Sequence, residues 1–246
     1  DYRGGANFSE TDGSPWNQCI LYDDGLSHIT ELNHDSDLDP RLAYTAGRRG
    51  IDYNGWGPAA GKDWIRASFD DISGPYLSKK NMYHAGDDAN RGTGGWGEQR
   101  SGINYHFMRY SDVLLMAAEA AVETGSISKA LGYVNQVRNR AKNSTPPDSQ
   151  PTYVIEPYTS FASADYARKA VRFERRLELG MEGHRLFDLR RWGNAASVMN
   201  TYFAKEAEVV TSFARGQSYQ GKHDLFPIPI VAIDQSQGVI AQNSGY

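Results

Sequence analysis

A mainly α-helical fold of packed hairpins, bearing a large irregular and loop-rich subdomain, is what this sequence predicts. Three observations lead there. Between Tyr110 and Trp192 the apolar residues recur at three- and four-residue steps, the spacing of a buried helix face. Glycine, serine and proline interrupt that spacing at intervals, where helices end and begin. Residues 1–104 show no such period, yet hold four of the five tryptophans, Trp16, Trp56, Trp64 and Trp96.

In order, residues 1–104 are crowded with Gly, Asp, Asn and aromatic side chains, among them Tyr22, Tyr44, Tyr53, Asn54, Tyr76 and Tyr83. Disordered chain is normally poor in aromatics, so the segment is expected to be ordered but irregular. Asp35, Asp37 and Asp39 alternate like calcium ligands. Pro40 stands where such a loop needs glycine, however, and Ala46 where it needs a bidentate glutamate, so the expectation is a solvated acidic turn. Arg48 and Arg49 are assigned to the scaffold, beside loop carbonyls.

The first long helix opens with the polar pair Ser111-Asp112 as its cap and runs through Leu114-Leu115-Met116-Ala117-Ala118 to Gly125, a residue that ends helices in the left-handed conformation. Ser126 or Ser128 caps a second helix carrying Ala130, Leu131, Val134 and Val137. Leu114, Ala117, Ala118 and Ala121 are expected to face Ala130, Val134 and Val137, with small residues letting the backbones approach. That pairing is the spacing of one tetratricopeptide-like unit, which cannot bury its own outer faces and must stack on something.

Thr145–Ser163, with Pro146, Pro147, Pro151 and Pro157, reads as a linker loop. A long helix is expected from about Ser163 to about Met181, broken by Glu182-Gly183-His184, then a short one over Leu186–Gly193 with Trp192 in the core. Asn194 caps a further helix bearing Val198, Met199, Tyr202 and Phe203. Phe226-Pro227-Ile228-Pro229 is extended, because two prolines fix it so.

Composition excludes several functions. The net charge of -4 gives no footprint for nucleic acid. With Cys19 alone, neither an internal disulfide nor a multi-cysteine metal site exists. No apolar run is long enough to span a membrane, and no phosphate loop, nucleophile elbow or dinucleotide fingerprint occurs, so no cofactor is implied. Glu174, Glu178, Glu182 and Asp188 crowd into one segment and could serve as the paired acids of a glycosidase. Each, however, has an arginine within four residues, a setting that keeps carboxylates ionised, so an ion-pair lattice clamping helices is expected instead. His184 has no second histidine or cysteine near it for metal.

The loop tryptophans suit the apolar face of a sugar ring, with Asn and Asp nearby to bond hydroxyls. Covering half of an indole's ~200 Å² is worth about 2–3 kcal/mol, so two such platforms give roughly micromolar to millimolar affinity after association costs. Trp16, Tyr53, Asn54, Trp56, Trp64 and Trp96 are the candidate ligand-binding residues, with no catalytic and no metal-binding residue assigned.

Arg109-Tyr110-Ser111-Asp112-Val113-Leu114-Leu115-Met116-Ala117-Ala118-Glu119-Ala120 resembles a motif of the SusD/RagB family. Val134–Ala141, Glu174–Leu179, Glu182–Gly193, Phe226–Pro229 and Gln242–Tyr246 follow in family order. Asp39-Pro40-Arg41-Leu42, Gly47–Ile51 and Gly74-Pro75-Tyr76 lie upstream of them. The resemblance implies a tetratricopeptide-like helical fold and a non-enzymatic, glycan-binding lipoprotein of the bacterial outer membrane, capping a SusC-like TonB-dependent transporter that takes up oligosaccharide or polysaccharide. Family members are longer, which implies an N-terminal half, with its lipidated cysteine and most hairpins, on the same chain or a companion. Residues 1–104 are then the ligand-facing region and 105–246 the helical one. The rival readings are a glycoside hydrolase acting through the Glu/Asp/Arg segment and a protein-interaction scaffold.

Overall fold

The structure, a computed structural model, describes residues 38–64, 76–95, 100–147, 153–207 and 216–246. Among them helix predominates, and the fold is mainly α. The chain divides into two compact units, Asp1–His184 and Arg185–Tyr246.

In the first unit a short helix, α1 (Leu42–Thr45), leads into β1 (Ala46–Gly47), which pairs antiparallel with β2 (Leu77–Ser78). Three long helices follow: α2 (Tyr110–Glu123), α3 (Ile127–Lys142) and α4 (Ala164–Glu178). α2 and α3 form the predicted hairpin and α4 packs on both. Leu114, Ala118 and Ala121 are buried against the α3 face of Ala130, Val134 and Val137, and α4 adds Ala167, Ala170, Val171 and Leu177 to the same core. The alanines allow close approach, while Leu115 and Leu177, almost fully buried, each contribute about 1.5–3 kcal/mol.

The turn between α2 and α3 is made as expected. Gly125 takes φ +74°, and the amide of Ser126 donates back to Ala121 O, a closing bond that needs a left-handed residue between. The polar pair at the start of α2 does not cap it. Arg109 occupies that position with extended backbone, and Asp112 turns inward to a 2.8 Å ion pair with Arg175 of α4. Ser126 precedes α3 but makes no side-chain cap bond, whereas Ser163 caps α4 by accepting from the Tyr166 amide at 3.0 Å.

The proline-rich stretch before α4 is more than a linker. Ile155, Tyr158 and Phe161 are buried, and Asn135 of α3 grips the Tyr158 backbone by donating to its carbonyl and accepting from its amide, both at 2.8 Å. Val154 N–H donates to Leu38 O, stitching this stretch to the segment before α1. Asp39 there is wholly buried, held by the Arg41 side chain at 2.6 and 2.9 Å, so its turn is not a solvated one. Asp35 and Asp37 lie outside the described residues. Arg48 is buried and donates to the Tyr153 hydroxyl, a scaffold role.

The second unit contains α5 (Arg185–Arg191), α6 (Ala195–Glu206) and α7 (Ile230–Gln235). Leu189, Ala195 and Tyr219 form its small core. Trp192 is half-buried and packs against that core, its ring facing the guanidinium groups of Arg191 and Arg185. Asn194 precedes α6, but its side-chain oxygen finds no partner among the described residues. Asn200 repeats the Asn135 device on the Tyr219 backbone. Gln242 does the same for Ile228, the one residue between Pro227 and Pro229 with an N–H to satisfy. Asn243 and Tyr246 donate to the carbonyls of Phe226 and Leu225, so the last residues form a clasp on the extended Phe226–Pro229 strip.

Candidate functional site

Trp56 sits on a turn whose conformation is over-determined. The chain doubles back between Asp52 and Pro58, with Asn54, Gly55 and Gly57 all at positive φ (53°, 84° and 97°). The Asp52 carboxylate accepts from the amides of Gly55 (2.7 Å) and Gly57 (3.1 Å), and Tyr53 N–H donates to Gly57 O at 2.8 Å. Glycine at two of these positions and asparagine at the third take left-handed backbone cheaply, and the bonds then set the path of the turn. The indole that results is 54% exposed, its edge fixed by a 3.1 Å bond from Nε1 to Tyr83 O.

The other predicted ligand residues are placed differently. Tyr53 is buried and donates to Ser78 O. Asn54 is buried with its amide on Lys79 O. Both build the turn. Trp64 is 41% exposed and sets an edge against the Tyr53 ring, 5.1 Å between centroids. Trp16 and Trp96 lie outside the described residues.

The Glu/Arg segment is a lattice. Glu174 is fully buried between Arg41 Nη1 (2.6 Å) and Arg138 Nη1 (2.9 Å). Glu178, one helical turn on, accepts from Arg41, Arg109 and Arg140. Glu182, just past the end of α4, accepts from Arg109 and Lys80. Lys80 and Arg109 also donate to the Glu178 carbonyl, at the helix end where cations are favoured. The expected local pairing forms at Asp188, which accepts from Arg191 at 2.9 Å, but Arg175 goes to Asp112, and the three glutamates draw arginines from α3 and from the segments before α1 and α2.

Burial pushes the Glu178 carboxyl up, but Arg41, Arg140 and Arg109 outweigh it and hold it below the ordinary value. Glu182 follows suit, its desolvation overcome by Arg109 and Lys80. A glycosidase acid needs the opposite shift, so neither group is tuned for that work. Among the described residues no cluster of His, Cys, Asp or Glu is placed to hold a metal ion.

Above the lattice opens a cleft of about 560 Å³. Its floor is Arg41, Arg109, Glu178 and Glu182. One wall is the segment Lys79–His84, whose Tyr83 carbonyl holds the Trp56 indole, and Tyr44, Asn104, His106 and Arg140 complete the rim. None of the residues picked out as sugar contacts lines it. His84 and His106 carry no spacing signal, and Arg140 stands in the sequence only as part of the Val134–Ala141 stretch.

Comparison with known proteins decides the family. The SusD family model matches residues 6–246. The chain belongs to the SusD family. SusD-like protein P2 of Formosa agariphila is 29% identical over 177 residues, 71% of this chain and 31% of the relative. SusD-like protein P25 of the same organism is 30% identical over 143 residues, 56% and 24% respectively. This SusD-family chain therefore spans about a third or less of the curated relatives it matches. Among solved structures, a SusD superfamily protein from Bacteroides vulgatus superposes with a TM-score of 0.57 at 22% identity, covering 85% of this chain and 40% of that one. Surface glycan-binding protein A from Bacteroides thetaiotaomicron gives 0.54 at 25% identity, covering 87% and 39%.

Proposed function

We propose that the protein captures oligosaccharide or polysaccharide without catalysis and hands it to a SusC-like TonB-dependent transporter. The observation that carries the reading is the half-exposed Trp56 indole, held rigid by Asp52 and the Tyr83 carbonyl beside an open polar cleft. A flat apolar face fixed before binding loses little entropy on contact with a pyranose ring. Membership of the SusD family supports the reading, as does the likeness to a surface glycan-binding protein. In this account residues 1–104 face the ligand on a helical support formed by 105–246. The protein acts at the cell surface, anchored by lipid through an N-terminal segment outside these residues. Trp64 is a second candidate contact.

Titration calorimetry against a panel of neutral and charged oligosaccharides tests this. Binding in the micromolar to millimolar range is expected, with a loss of about tenfold or more in Trp56→Ala at unchanged melting temperature. Equal binding by Trp56→Ala would remove the platform from the site, and reducing-sugar release from any member of the panel would overturn the non-catalytic part.

A further inference from the structure

The cleft offers cationic side chains in excess of acidic ones. Five cationic side chains line it (Arg41, Lys79, Lys80, Arg109, Arg140) against three acidic ones (Asp87, Glu178, Glu182). Adding the layer beneath, Arg138 against Asp39 and Glu174, leaves six cations to five carboxylates. The acids are occupied. Glu178 already accepts from three arginines and Glu182 from Arg109 and Lys80, while Asp87 accepts from the His84 amide.

The surplus falls on Arg140. Among the described residues its guanidinium bonds through Nη2 alone, to a Glu178 already shared with two more deeply placed arginines, and its side chain is 53% exposed. Nε and Nη1 stay available at the rim. The side chains of His84, His106, Asn81 and Asn104 border the same cleft, all exposed, and none has a hydrogen bond to another described residue. Neutral sugar hydroxyls can bond the Asn81 and Asn104 amides, but they leave the cationic surplus of the cleft unmatched. A guanidinium fork with free N–H groups matches the oxygens of a carboxylate or sulfate ester. The cleft volume falls in the range of small-ligand sites.

We propose that this cleft takes an anionic sugar residue, a uronate or a sulfated unit of the captured chain, with Arg140 as the contact to its oxyanion. The proposal rests on the glycan-capture reading and narrows it to acidic glycans.

The test is calorimetry with three tetrasaccharides: tetragalacturonate, a sulfated galactan fragment and a neutral galactan fragment. The protein is assayed as wild type, Arg140→Gln and Arg140→Lys, with melting temperature as a folding control. At least one anionic fragment should bind about tenfold more tightly than the neutral one, a preference that weakens as salt is raised. Arg140→Gln should abolish the preference, while Arg140→Lys keeps part of it. Whichever anionic arm is tighter identifies carboxylate or sulfate. Equal binding of all three fragments, or an anionic preference untouched by Arg140→Gln, overturns the proposal and leaves glycan capture standing. No heat from any fragment overturns both.

Discussion

Replacing Glu174 by glutamine should cost about 3–5 kcal/mol of folding stability, the usual penalty for removing one partner of a buried ion pair. The carboxylate is wholly buried, 2.6 Å from Arg41 Nη1 and 2.9 Å from Arg138 Nη1, and those side chains are themselves 5% and 0% exposed. Glutamine keeps the shape but offers one neutral oxygen, and its amide aims a donor at groups that are all donors. Arg41 retains Asp39 and Glu178, which places the loss toward the lower part of the range rather than beyond it. For a chain of this size, about 2–4 °C per kcal/mol turns that into a drop of roughly 6–20 °C in melting temperature. Urea unfolding followed by circular dichroism measures it. Lys142→Ala, which breaks the exposed Lys142–Glu156 pair, is the control and should stay within about 0.5 kcal/mol. Combining Glu174→Gln with Arg138→Met should cost less than the sum of the two by about 0.5–3 kcal/mol, because the second change removes a cation that the first deprived of its carboxylate. A Glu174→Gln variant within about 1 kcal/mol of wild type would refute the reasoning.

Acid should weaken the lattice in a defined window. Glu178 and Glu182 have folded values below the unfolded one of about 4.3, so their stabilisation is complete above that pH and drains as pH falls through the lower folded values. Unfolding free energy measured against pH should decline more shallowly below about pH 4.5 in Glu182→Gln, and an unchanged slope would count against it. Alanine at two open glycines should act with opposite signs. Gly57 has φ +97° and nothing within 4 Å of an added Cβ, so Gly57→Ala should lose about 1–3 kcal/mol through backbone strain alone. Gly132, inside α3 and equally open, should gain about 0.5–1 kcal/mol as Gly132→Ala, both read by denaturant midpoints. Gln242→Ala strips both bonds from the part-buried Ile228 backbone and should cost about 1–3 kcal/mol by the same assay.

The helices were legible because their information is local. The start of α4 at Ser163, the stop at Gly125 and the α2–α3 face are written in residues a few positions apart, and the structure places them so. What depends on distant residues was not legible. Arg41 meets Glu174 across 133 positions, so Asp39 beside it read as a surface acid when it is the buried brace of that arginine. Within the site, the presence of exposed aromatics could be anticipated, since glycine-rich loops leave little to cover an indole. Which aromatics are exposed could not: Tyr53 and Trp56 stand three positions apart, and only the path of the turn sends one inward and the other out.

Why a polar lattice sits where an apolar contact would bind at least as strongly follows from what it connects. Glu174 and Glu178 are four residues apart on one face of α4, and Glu182, past the helix end, shares Arg109 with Glu178, so three acids form a stripe. The cations come from separate places: Arg41 before α1, Lys80 after β2, Arg109 before α2, and Arg138 and Arg140 on α3. Two of these segments flank a two-stranded sheet whose strands, among the described residues, are only two residues long, a short ladder to set their position. Apolar contacts tolerate sliding, whereas a guanidinium displaced by one residue leaves two buried charges bare, at several kcal/mol each. The stripe therefore fixes the register of irregular backbone that hydrophobic burial alone would leave loose. That register sets where the Lys79–His84 wall stands, and so where the Tyr83 carbonyl holds the Trp56 indole.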